Sequence, residues 1–209
     1  MNINKLKKAE KAFFMEYPQG FQTPEMIKMS KKHKMDKLVD FAHDSFSLSA
    51  LENIDESAEN MIKIVSRSSM VSLFEKPKFR DAVKSMSHDE KSLLVSALKE
   101  LIHGNEETGF NQLLDILTRF KLAKWTLMTV FRCYYYPQQD LLFKPTTVKN
   151  VIAKYELEGL VYKPRPSYDF FVKYRNAIND MKKQVDDSLS PNNPAFSGFL
   201  MMTMDVDVK

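Results

Sequence analysis

Four side chains with metal-ligand chemistry fall close together near the start of the chain: His33, Asp36, Asp40 and His43. At spacings of three and four they share one face of a helix. Imidazole and carboxylate together form a donor set for zinc-like ions. The four spread over about 15 Å of helix axis, however, so at most two neighbours reach one ion. They also lie opposite the apolar stripe of the same stretch. A solvated polar face is the expectation, with no metal and no cofactor.

Other reactive groups lack companions. Cys133 follows Arg132 in an aromatic run, and no base is positioned to make it a nucleophile. Glu156 and Glu158 point to different sides of a helix. There is no Gly-rich phosphate loop, no Gly-x-Ser-x-Gly and no His-Glu-x-x-His. A non-enzymatic chain is expected; the alternative is an enzyme whose site is assembled only by the fold.

The positive charge concentrates late. Residues 119–183 hold thirteen Lys and Arg against five acids, and residues 41–118 hold eight against thirteen, within a net charge of +4. From Lys144 to Lys183 a Thr-rich helix start leads through Gly159 and the Pro164-x-Pro166 hinge into a long basic amphipathic helix. Thr147, Lys149, Asn150, Lys154, Lys163 and Arg165 could meet phosphates and base edges. The plainer alternative sinks Val148, Val151, Ile152 and Tyr155 into a core and leaves the lysines solvated. The long helix, with Tyr168, Phe171, Val172, Arg175, Ile178, Met181 and Lys182 at spacings of three and four, is expected to pack its apolar face inward rather than lie on a membrane.

The elements that position these groups read as helices. The 209 residues are 44% hydrophobic and 28% charged, enough for a sizeable core. Only 5 glycines leave few positions for tight hairpins. The single cysteine favours a reducing compartment. No apolar run approaches the roughly 18 residues of a membrane helix, and the basic N-terminus lacks the pattern of a signal peptide. A soluble, cytoplasmic protein is expected.

Periodicity predicts helices over 3–16, from Pro24 to Phe46 behind a Thr23 cap, and over 50–65 behind Ser49. Ser87 to Glu90 is a capping box opening a helix that stops at His103-Gly104. Further helices are expected over 105–120, 146–155 and 167–185. Residues 122–136 are rich in β-branched and aromatic residues, as a strand would be, but their length favours a buried helix. Leu160 to Tyr162 reads as a short extended piece, and the apolar tail from Pro191 as helix or strand packed on the body. The fold class expected is mainly α, a compact irregular helical bundle with one or two short extended segments in the C-terminal third. Residues 1–209 form one domain in this reading, with a subdivision into a helical body, 1–120, and a basic region, 121–209.

Two resemblances attach to particular segments. FFMEYPQGFQTPEMIKMSKKHK and LLFKPTTVKNVIAKYELEGLVYKPRPSYDFFVKYR resemble a group of uncharacterised bacterial proteins, which implies a bacterial cytoplasmic setting and transfers no activity. Thr147 to Tyr162 is similar to the recognition helix and wing entry of bacterial winged-helix regulators. That implies DNA contacts from the six residues named above. The sequence departs from the pattern in its long Pro137–Pro145 connection and in Pro164 and Pro166, which suit no hairpin wing.

The function expected is that of a binding or regulatory protein acting through a protein partner or self-association, with DNA binding as the alternative. An interaction module predicts an exposed apolar patch, a DNA binder one basic face, and an enzyme a pocket with convergent titratable groups.

Overall fold

The computed structural model describes residues 1–206. Eleven α-helices follow one another, and no β-strand occurs among the described residues. They are α1 (Ile3–Glu16), α2 (Pro24–His33), α3 (Met35–Ser45), α4 (Ile54–Arg67), α5 (Glu75–Ser85), α6 (His88–His103), α7 (Glu106–Arg119), α8 (Trp125–Tyr135), α9 (Pro145–Lys154), α10 (Tyr168–Lys182) and α11 (Asn193–Met202). Short 3-10 turns lie at Gly20–Gln22, Ala50–Glu52 and Asp187–Leu189.

Side-chain caps start many of these helices. Asn2, Asn53, Asn105 and Asn192 each accept a backbone N–H from the first turn of α1, α4, α7 and α11. Ser87 and Glu90 form the reciprocal capping box of α6.

The ambiguous segment is α8, and every residue from Trp125 to Tyr134 is buried. A helix enclosed on all sides needs apolar residues all round, which is why its sequence lacks a polar face. Buried apolar side chains from α1 through α11 form one cluster around it. Among the three tyrosines, Tyr134 is fully buried and donates to Ser68 Oγ (2.9 Å), while half-buried Tyr136 donates to the Ile102 carbonyl (2.9 Å).

The tightest helix pair is α6 against α7, and Gly109 makes it possible. A Cβ there would sit 2.1 Å from the Leu101 backbone nitrogen and 2.5 Å from its Cα. Only the absent side chain lets the two backbones approach so closely.

Three expectations are corrected. The stretch Pro24–Phe46 is two helices, because Lys34 takes a left-handed conformation (φ 50) between α2 and α3. On α2 the buried apolar side chain is Met26, and Ile27 is 36% exposed. Thr23 does not cap α2; its Oγ1 donates to the Gly20 carbonyl (2.7 Å). Ser49 does not start α4, since a 3-10 turn intervenes and Asn53 is the cap.

The tail forms α11, anchored by buried Phe196, Phe199 and Leu200. On α10, Phe170, Phe171, Tyr174, Ile178 and Met181 pack inward. Residues 156–167 are an irregular connection in which Leu160 to Tyr162 pairs with no strand. None of the helices among the described residues is long and apolar enough to cross a membrane.

Candidate functional site

The break at Lys34 separates the polar face that suggested a metal. His33 Nδ1 is hydrogen-bonded to Ser69 Oγ (2.8 Å), and His43 Nε2 to the Tyr135 carbonyl (2.7 Å). Among the described residues no cluster of three or more His, Cys, Asp or Glu is placed to hold an ion.

The densest concentration of charge is internal. Arg132 and Asp140, 6% and 0% exposed, meet Glu106 and Arg175 between α7, α8, α10 and the α8–α9 connection. Arg132 Nη2 lies 2.8 Å from Glu106 and 2.9 Å from Asp140, and its Nη1 donates to the Leu101 carbonyl (2.6 Å). Arg175 donates twice to Glu106, at 2.7 and 2.9 Å, and Tyr168 adds a third hydrogen bond at 2.9 Å. Burial pushes the Glu106 carboxyl upward, but the hydrogen bond from Arg175 and the charges of Arg132 and Arg175 prevail and hold it below its usual range. Two cations against two anions, mutually satisfied, leave no charge to offer a substrate. This cluster clamps helices together.

Cys133 is buried, and burial first, then the charge of Asp140, pushes its thiol far above the ordinary range. Such a thiol is not a nucleophile. Glu156 is tied to Lys5 (2.8 Å) and Asn2 (3.1 Å), fastening α1 to the end of α9, and forms no pair with Glu158.

An open cleft of about 390 Å³ lies between α2, α9, α11 and the turn after α4. Its walls carry Met26, Met29, Met35, Met70, Met201 and Met202, with Phe21 and Leu142. Methionine is flexible and polarisable, and methionine-rich surfaces adapt to varied apolar guests. Gly198, on α11, leaves room there: a Cβ added to it would meet nothing within 4 Å.

The polar rim of the cleft is one-sided. It holds Ser30, His33, Lys144, Thr147, Asn192 and Ser197, and among the described residues no carboxylate lines it. The Lys144 ammonium is exposed and has no hydrogen-bond or ion-pair partner among the described residues. It precedes α9, whose start no side chain caps, leaving first-turn N–H groups without a side-chain acceptor. Burial first, and then the charges of Lys144 and Lys32, lower the His33 pKa from its ordinary value. A larger depression of about 520 Å³, by Leu157 and Ala177, is wide open and carries both signs through Glu158, Asp180 and Lys173.

The residues predicted to meet nucleic acid divide. Lys149, Asn150, Lys163 and Arg165 are exposed, with Lys149 5.7 Å above the Tyr162 ring. Thr147 is half-buried in the cleft wall. Lys154 is half-buried and donates to the carbonyls of Thr203 and Met204 at the end of α11. Connections of nine residues or more precede and follow α9 without a strand.

The sequence reading missed the cleft because its wall comes from residues between 21 and 202. The available signal was the abundance of methionine, 13 residues, with a Met pair in the tail. A second surface feature is the turn before α5, where Leu73 and Phe74 stand 79% and 81% exposed. No protein-family model, curated protein or solved structure matches this chain.

Proposed function

We propose that the chain is a non-enzymatic binding protein whose working site is the methionine cleft, with the exposed Leu73–Phe74 turn engaging a protein partner. The carrying observation is the cleft's composition: six methionines around a space of about 390 Å³, with His33 and Lys144 as the only titratable lining groups among the described residues. That volume lies within the range of about 300–1,000 Å³ typical of small-molecule sites. A pocket so apolar, with one cation and one imidazole, supports holding a guest rather than transforming it. The exposed Leu73–Phe74 pair supports the protein-partner part, because neighbouring large apolar side chains at such exposure favour burial against a second surface.

The test is titration with a neutral, environment-sensitive apolar fluorophore. Wild type should show saturable binding. Gly198→Leu should lose it while keeping its helical circular dichroism, since the new side chain fills the cleft and replaces a mid-helix glycine. Equal binding by the two proteins would remove the cleft from this reading.

Nucleic-acid binding is a second reading, supported by the exposed Lys149, Asn150, Lys163 and Arg165. It requires duplex DNA binding at low salt that weakens steeply with added salt and with Lys149→Glu. Absence of binding at low salt ends it.

A further inference from the structure

Resting on the reading of the methionine cleft as a binding site, we infer that its natural guest is an anionic amphiphile, a single alkyl chain ending in a carboxylate, with the head at Lys144 and the chain along the methionines.

Three observations converge. First, the body of the cleft is apolar and adaptable, suited to a flexible chain rather than a flat ring that demands fixed walls. Second, among the described residues the rim carries a lysine with no partner and carries no acid, so a negative head gains attraction there. Third, the uncapped start of α9 adds oriented N–H groups beside that lysine, with Thr147 in the wall. Among the described residues the rim holds one lysine and no arginine. A lone lysine is a single point charge, matched to a singly charged head such as a carboxylate rather than to a multiply charged one. A neutral alcohol of equal length would fill the same space but leave the ammonium uncompensated. A cationic amphiphile would be repelled by it.

The experiment is isothermal titration of decanoate, decanol and decyltrimethylammonium into wild type, Lys144→Gln and Gly198→Leu, below the micelle concentrations of the two ions and the solubility limit of the alcohol. Wild type should bind decanoate about tenfold more tightly than decanol, the low end of what a hydrogen bond to a charged group contributes, and should bind the cation most weakly. Lys144→Gln should lose that preference and keep decanol affinity. Its side chain is exposed and caps nothing, so folding is spared. Gly198→Leu should weaken all three. Equal affinity for decanol and decanoate in wild type, or an unchanged preference in Lys144→Gln, would overturn the inference while leaving the cleft a binding site. No binding of any of the three by wild type would remove both.

Discussion

The carboxylate of Asp140 is fully withdrawn from solvent and rests on the guanidinium of Arg132, with contacts at 2.9 and 3.1 Å. The pair sits at the meeting point of α6, α7, α8 and α10. Taking two charges out of water is costly, and the arrangement persists because every partner is satisfied. Glu106, Arg175 and the Leu101 carbonyl complete the set.

Removing one member therefore exposes the cost of the others. Asp140→Ala should destabilise the protein by about 3 kcal/mol, the scale of an orphaned buried charge. Asp180→Ala, which breaks the exposed pair with Lys183, should cost less than about 1 kcal/mol. Urea midpoints of the two variants give the comparison. Equal shifts would show that the internal network is not a clamp.

The same network sets an acid limb. The folded-state pKa of Glu106 is depressed, so its contribution is present above the ordinary carboxylate pKa and is lost as pH falls through the folded value. Stability measured from pH 6 downward should fall less steeply in Glu106→Gln than in wild type, from a lower starting level. Parallel slopes would contradict the assignment.

Gly109→Ala tests the closest helix contact. Alanine favours a helix over glycine by about 0.5–1 kcal/mol. Here its Cβ meets the Leu101 backbone, which cannot rotate away, and overpacking of this kind costs about 1–3 kcal/mol or more. Thermal unfolding should show a net loss. A gain would mean that α6 and α7 separate without penalty.

Cys133 should be unreactive in the folded protein. Iodoacetamide at pH 8 should leave it unmodified for as long as the chain stays native and alkylate it fully in denaturant, because burial keeps the thiol protonated and out of reach. Modification of the native protein at the rate seen in denaturant would refute this.

Self-association through the exposed turn before α5 predicts a concentration-dependent sedimentation coefficient that Leu73→Ser/Phe74→Ser abolishes. A concentration-independent monomer in wild type would leave that turn to a different protein partner.

Much of the helical architecture was legible where local chemistry governs. The Ser87–Glu90 box, Pro24 in the first turn of α2, and the stop at Gly104 each act within a few residues. The helical state of α8 was legible from length, and its burial explains its composition. The break at Lys34 was not legible. It falls at neither glycine nor asparagine, and a left-handed lysine costs about 1–2 kcal/mol that only tertiary packing on both flanks recovers. The charge network was equally hidden, since Glu106, Arg132, Asp140 and Arg175 become neighbours only when α7, α8, α10 and the α8–α9 connection converge. The cleft is a product of chain segments far apart in sequence, and no local pattern announces such a space.

The left-handed joint at Lys34 also bears on access. Helix α2 contributes one buried side chain, Met26, whereas α8 contributes ten, so α2 is held far more weakly than the body it covers. Its amides should exchange with deuterium well before those of α8. If the proposed guest binds, α2 is the wall of the cleft with the most freedom to adjust to it, while the body around α8 stays fixed.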